Sequence, residues 1–227
     1  PVMLTNTHSV GTVRDAAIAY RVAQGDADAS GYWWSLPVVA ETWDGHLNDI
    51  NGFHVKPEHA VQAINNAKSG PVAEGNVGGG SGMVCHEFKC GIGSASRKVT
   101  IGGRSYTVGV LVQANYGLRD PLRIAGVPVG QHLRNDRVYS EETAKPAETG
   151  SIIIIVGTDA PLLPSQLKRI AKRATMGLAR MGSYAGNGSG DIFLAFSTAK
   201  PADRDGGPSS AEFIGNDRID PLFEASV

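Results

Sequence analysis

Cysteine is nearly absent: only Cys85 and Cys90 occur among 227 residues. Two cysteines cannot staple a chain this long into a disulfide framework. Their spacing fits no usual zinc pair, and no second pair exists. Reduced thiols in a cytoplasmic protein are the expectation, with no metal and no cofactor. Aromatic residues are scarce at 7%, which argues against a stacking platform for single-stranded nucleic acid. Neither sign of charge prevails, because 21 Lys and Arg face 22 Asp and Glu for a net charge of −1. That balance argues against nucleic-acid binding by bulk positive charge and gives no polybasic membrane patch. No apolar run approaches the roughly 18–20 residues of a membrane helix. The longest, Ile152 to Val156, has the length of a strand. The chain opens on Pro1-Val2 without a signal-peptide pattern or a Met, so a fragment or a processed chain is expected.

Several familiar catalytic signatures are missing too. Gly75-Asn76-Val77-Gly78-Gly79-Gly80-Ser81-Gly82 lacks the Gly-Lys-Ser/Thr ending of a phosphate loop and does not match G-x-G-x-x-G. Neither Ser81 nor Ser189 stands in G-x-S-x-G. There is no H-E-x-x-H, and the six histidines are scattered at positions 8, 46, 54, 59, 86 and 132.

What is abundant is glycine, 29 residues in clusters without a fixed period, which fits neither collagen nor a low-complexity tract. Helix and strand signals are interleaved around it. Val13, Ala16, Ala17 and Tyr20 give Thr12–Ala23 a helical apolar face. Leu36–Glu41 reads as a short strand, and Pro57 opens a helix running over Glu58–Lys68. Tyr106–Asn115 alternates as a strand, Ile124–Val129 reads as a strand edge, and Ser151–Gly157 as a strand buried on both faces. Pro164 and Ser165 open the clearest helix, with Leu167, Ile170, Ala171, Ala174, Leu178 and Met181 as its stripe. Its basic residues read as a solvated face. Asp191–Thr198 is a further strand, while Arg134–Gly150 and Lys200–Asn216 read as loops. The class is α/β or α+β, in a single domain over 1–227.

One constellation carries chemistry. Asn187-Gly188-Ser189-Gly190-Asp191 lies between the long helix and a strand. Cleavage of the Gly188–Ser189 bond would give Ser189 a free α-amine. Such amines have an ordinary pKa of about 7.7–8.0, which makes them usable bases near neutrality. A nucleophile activated by its own N-terminal amine is a known catalytic arrangement. From spacing alone, an ordinary Gly-Ser turn is the stronger reading.

The longer motifs shift that balance. Gly75 through Met83, Phe88-Lys89 and Gly91-Ile92-Gly93-Ser94-Ala95-Ser96-Arg97 resemble the signature of the DmpA family of L-aminopeptidase/D-esterases, which includes the β-peptidyl aminopeptidases. So do Asn6-Thr7-His8-Ser9-Val10-Gly11, Glu41 through Gly45, Asn48 through Gly52, Thr158 through Leu162, and Asn187 through Ile192 with Phe196-Ser197-Thr198. The resemblance covers nearly the whole chain.

It implies a four-layer αββα sandwich, self-cleavage at Gly188–Ser189, and Ser189 as the nucleophile that attacks amides or esters of substrates bearing a free amine. It implies an α-chain part over 1–188, the start of a β chain at 189–227, and homo-oligomers of αβ units. No nucleic acid and no membrane enter as partners. Further catalytic candidates are Asn115 as an oxyanion donor, His86 where the family carries a Tyr, and Asp159 in the Thr-Asp-Ala-Pro turn. Gly79, Gly80 and Ser81 are candidates for substrate binding. Family chains extend beyond both ends of this one, and their acidic helper residue falls after Val227. The missing ends are expected to supply strands, leaving open sheet edges. Glu224 and Ser226 are not assigned that role. The alternatives are a non-catalytic relative that binds a small amino compound, and an acyltransferase.

Overall fold

A computed structural model of the chain describes residues 1–25, 34–135, 150–199 and 212–227. The first unit is a parallel βαβ. Strand β1 (Val2–Asn6) leads through a short 3-10 turn into helix α1 (Val10–Ala23), and β2 (Val38–Thr42) returns beside β1 with Val2 opposite Val38. Helix α1 buries Val13 and Ala16 with Ala60 of α2 (Pro57–Asn65).

A hairpin follows, β3 (Val84–Cys85) and β4 (Phe88–Lys89). The main sheet has the order β5-β6-β7-β8, formed by Ile92–Ile101, Arg104–Asn115, Ser151–Thr158 and Ile192–Ser197. Gly102 and Gly103, both at positive φ (57° and 80°), make the two-residue turn between β5 and β6. Such a turn matches the twist of the paired strands. Helix α3 is a single turn (Val129–His132). Helix α4 (Pro164–Arg180) is the crossover that places β8 parallel to β7, and α5 (Asp220–Ala225) closes the described chain.

The alternation of β6 and β7 sets the layers. Val108, Ala114, Ile152, Ile154 and Val156 pack against Ile170, Ala174 and Leu178 of α4 and Leu222 and Phe223 of α5. On the opposite face, fully buried Gln113 donates from Nε2 to the Thr5 carbonyl (2.9 Å) and to Thr42 Oγ1 (2.7 Å). Those bonds tie the four-stranded sheet to β1 and β2. The order is therefore α1/α2, β1–β2, β5–β8, α4/α5: a four-layer αββα sandwich, as the resemblance implied.

Some expectations change. Ile124–Val129 is not a strand edge, because Ala125 and Gly126 at φ 50° and 83° fold Ile124 back onto Val127 in a tight turn. The helix expected to Lys68 stops at Asn65. Cys85 and Cys90 are not reduced thiols; they form a disulfide. The β3–β4 hairpin turns through His86 and Glu87, both at positive φ (49° and 60°). That folding brings the two cysteine Cα atoms to 5.3 Å, within the range a bridge requires. Most of the loops expected over Arg134–Gly150 and Lys200–Asn216, residues 136–149 and 200–211, lie outside the described residues. Among the described residues no helix is long and apolar enough to cross a membrane.

Candidate active site

The polar candidates gather at one end of the main sheet. Strand β8 is entered through a β-turn in which the Ser189 N–H donates to the Gly186 carbonyl (2.8 Å). The Gly188–Ser189 bond lies inside that turn. Ser189 Oγ donates to Asp191 Oδ1 at 2.5 Å. Between them, the Gly190 N–H donates to Ser151 Oγ (3.3 Å), which holds the entry of β8 against the first residue of β7. Ser151 in turn stands opposite Asn115, the last residue of β6.

Asn115 is buried, and both ends of its amide are engaged. Nδ2 donates to the Trp43 carbonyl (2.8 Å), and Oδ1 accepts from the Val84 N–H (2.9 Å). The side chain thus joins the loop after β2 and the hairpin β3–β4 to the end of β6. His86 reaches the same end. Its N–H donates to the Tyr116 carbonyl (2.8 Å), and its ring meets Tyr116 edge-on at 4.9 Å. His86 Nδ1 lies 2.8 Å from the Leu118 carbonyl. A carbonyl only accepts, so Nδ1 bears the proton and a neutral ring presents Nε2 as an acceptor. In this orientation Nε2 becomes a donor only if the ring is protonated.

The turn under His86 is held from inside by Arg119, which is fully buried. Its Nε donates to the His86 carbonyl (2.9 Å), Nη2 to the Glu87 carbonyl (2.5 Å) and Nη1 to the Leu133 carbonyl (2.6 Å). Its guanidinium carbon lies 3.5 Å from the centroid of the Phe88 ring.

The glycine-rich segment forms a 3-10 turn over Gly78–Gly80. A Cβ at Gly80 would stand 2.6 Å from the Gly75 carbonyl oxygen and 2.7 Å from the Ile92 nitrogen, so only glycine fits there. The N–H groups of Gly80 and Ser81 bond back to Val77 and Gly78, and Ser81 Oγ donates to the Gly78 carbonyl. The loop's carbonyls converge on Lys89, whose Nζ donates to Gly80 (3.2 Å), Met83 (3.1 Å) and Cys90 (2.6 Å). Burial holds the Lys89 ammonium below its ordinary pKa.

Gly79 and Ser81 line a polar cavity of about 480 Å³ with Asn6, Asp44 and Asn48. Asp44 accepts from Asn6 Nδ2 (3.0 Å) and Asn48 Nδ2 (2.9 Å). Just before the loop, Glu74 accepts from the hydroxyl (2.6 Å) and N–H (2.8 Å) of Ser94, and these bonds lower its pKa. A larger, apolar cleft of about 1120 Å³ runs between the sheets past Leu111, Ile155 and Phe196. Ser189 lines neither cavity.

Asp159 is not brought to this end. It follows the last residue of β7, where Oδ1 accepts from the Thr107 N–H (2.7 Å). Seven residues of β7 lie between it and Ser151, which at about 3.3 Å per residue puts the length of the strand between them. The residue that sequence reasoning passed over is Asp191. Its signal was present in Ser-Gly-Asp, since i and i+2 share a side of an extended chain.

Comparison with known proteins adds a family. The family model of Peptidase family S58 matches residues 1–227. A β-peptidyl aminopeptidase BapA of Sphingosinicella microcystinivorans is 54% identical over 238 aligned positions, covering 100% of this chain and 59% of that protein. The enzyme of the same name from Sphingosinicella xenopeptidilytica is 46% identical, again over 100% of this chain and 59% of its own length. This chain thus spans about three-fifths of the curated relatives it matches. Among solved structures, the L-aminopeptidase D-Ala-esterase/amidase of Ochrobactrum anthropi superposes with a TM-score of 0.87 at 46% identity. That match covers 98% of this chain and 61% of the other, which is described as a prototype for the serine aminopeptidases and a variant of the Ntn hydrolase fold.

Proposed function

The chain belongs to peptidase family S58, and on that footing we propose that it forms the core of a self-processing serine aminopeptidase. It cleaves itself between Gly188 and Ser189, which divides it into an α-chain part (1–188) and the start of a β chain (189–227). Ser189 then attacks the amide or ester carbonyl of a substrate carrying a free amine. The observation that carries this reading is the placement of Ser189: its peptide bond in an exposed turn, its hydroxyl hydrogen-bonded, at the sheet end where Asn115 and His86 also lie.

After cleavage the Ser189 α-amine takes the hydroxyl proton and returns it to the leaving group. Asn115 is the oxyanion donor. Its Nδ2 carries two hydrogens, and the Trp43 carbonyl takes one. His86 lies beside it, with Nδ1 held on the Leu118 carbonyl. The loop of Gly79, Gly80 and Ser81 shapes the substrate side. Two carboxylates bracket that loop: Glu74, held by Ser94, and Asp44, held by Asn6 and Asn48. Either charge suits a substrate ammonium. Two of the relatives are named for β-peptidyl substrates, which makes β-aminoacyl amides the first substrates to assay.

We also propose that αβ units assemble into a homo-oligomer, which light scattering reads directly. The Cys85–Cys90 bridge removes the ground for expecting a cytoplasmic setting, and an oxidising compartment suits it better.

The test is Ser189→Ala. The variant should remain one chain on a denaturing gel and should not release p-nitroaniline from aminoacyl p-nitroanilides. Retention of activity by that variant would refute the mechanism.

A further inference from the structure

Asn187 and Gly188 are the two central residues of the turn that the Ser189 N–H closes on the Gly186 carbonyl (2.8 Å), and both are exposed. Among the described residues nothing accepts the Gly188 N–H. In an Asn-Gly pair the glycine nitrogen can attack the asparagine side-chain amide, because no Cβ on the second residue obstructs the approach. We propose that Asn187 is a modification site. In the uncut chain it deamidates through a cyclic imide formed with the Gly188 nitrogen. The isoaspartate that results displaces the Gly188–Ser189 bond and blocks self-cleavage. The deamidation goes beyond the reading of Ser189 as the cleaved nucleophile, and its effect on the cut rests on that reading.

The chain carries its own comparison. Asn-Gly occurs twice, as Asn51-Gly52 and Asn187-Gly188, and both asparagines are exposed. Asn51 and Gly52 lie in a 3-10 turn (Ile50–Gly52), where the Gly52 N–H donates to the Asp49 carbonyl (3.2 Å). Gly52 is also crowded, since a Cβ on it would overlap the His54 ring and the Asp49 carboxylate. The nitrogen that closes the imide is therefore tied at Gly52 and untied at Gly188.

The atoms balance with one water. Gly188 N gives its proton to hydroxide and bonds to Asn187 Cγ. The Cγ–Nδ2 bond breaks, and ammonia leaves with a proton returned from water. The product is a five-membered imide across Asn187 and Gly188. Water then adds to one of its two carbonyls. Opening at the side-chain carbonyl gives aspartate. Opening at the main-chain carbonyl leaves the chain running through Cγ, which is isoaspartate. That product adds a methylene to the main chain between Gly186 and Ser189, inside the turn that orients the scissile bond. It also sets a carboxylate beside the junction.

Ser189→Ala, made in the full polypeptide, supplies an uncut chain for the test. It is incubated at mildly alkaline pH and mapped by mass spectrometry, with isoaspartyl methyltransferase labelling to separate isoaspartate from aspartate. Asn187 should convert about 2- to 10-fold faster than Asn51, the factor that one ordinary hydrogen bond on the attacking nitrogen imposes. In urea the two rates should converge. Insertion of a glycine between Asn187 and Gly188 lengthens the same turn, and a misplacement of about 1 Å costs about 100-fold. That variant should accumulate the two chains about 100-fold more slowly than the parent on denaturing gels. Conversion of Asn187 no faster than Asn51 in the folded chain overturns the modification site. Cutting of the insertion variant at the parental rate overturns the block. Cleavage of Ser189→Ala at the junction would instead remove the nucleophile reading and with it the effect on the cut, while the two deamidation rates would still decide the modification.

Discussion

Asn115 Oδ1 accepts the Val84 N–H at 2.9 Å across 31 residues of sequence, which fastens the β3–β4 hairpin to the last residue of β6. Because the same amide donates to Trp43, one side chain joins three segments at the sheet end. Asn115→Ala leaves the buried Val84 N–H without a partner, at about 1–3 kcal/mol, and removes the bond to the part-buried Trp43 carbonyl, at about 0.5–1.5 kcal/mol. Urea denaturation should show a loss of roughly 2–4 kcal/mol, together with a fall in kcat. A midpoint unchanged from the parent would mean that this junction does not hold the hairpin.

Arg119 offers a second probe of the hairpin. Its planar fork reaches three carbonyls at once, which a lysine's point charge cannot imitate. Arg119→Lys should cost about 3 kcal/mol or more, given that hydrogen bonds to charged groups are worth about 1.5–3 kcal/mol each. Chemical denaturation measures it, and a cost below about 1 kcal/mol would be too small for the role assigned to this residue.

The Cys85–Cys90 bridge closes a short loop, with a sequence separation of 5. Chain-entropy reasoning gives such a loop about 2 kcal/mol of stabilisation. Mass spectrometry with and without reductant should show a difference of two hydrogens, and reduced protein should unfold at lower denaturant. Free thiols in protein purified without reductant would contradict the bridge.

Glu74 supplies a pH dependence. The Ser94 hydroxyl and N–H hold its folded-state pKa below the ordinary glutamate value. Its contribution to stability is therefore complete above the unfolded value and is lost as pH falls through the folded value. In Ser94→Ala the carboxyl should titrate at higher pH, which carbon-detected NMR follows directly. The two carboxylates beside the loop are separable by kinetics. If Glu74 receives the substrate ammonium, Glu74→Gln raises KM for amine-bearing substrates and Asp44→Asn does not; the reverse result assigns that role to Asp44.

Much of the fold was legible because its signals are local. The stripe of Ile170, Ala174 and Leu178 marked α4, and the run from Ile152 to Val156 marked β7. Strand β5 was not read, because Ser94, Ser96 and Arg97 on an exposed edge leave little apolar alternation. The β3–β4 hairpin was hidden for another reason. His86 and Glu87 adopt positive φ without being Gly, Asn or Asp, so no turn signal stood in the sequence. The same gap concealed the disulfide. At the candidate site, the turn that carries Ser189 into β8 was legible from its Asn-Gly-Ser-Gly motif, and the contact with Asp191 could have been read from its i+2 spacing. The displacement of Asp159 to the far end of the sheet could not, because it depends on which end of β7 meets β8 and β6.

Every role proposed for Ser189 turns on one covalent event, and the intact mass of the purified protein, with N-terminal sequencing of each chain, tests it most directly. Two chains are predicted, one of them beginning at Ser189. A single uncut chain that nonetheless hydrolyses aminoacyl amides would contradict it.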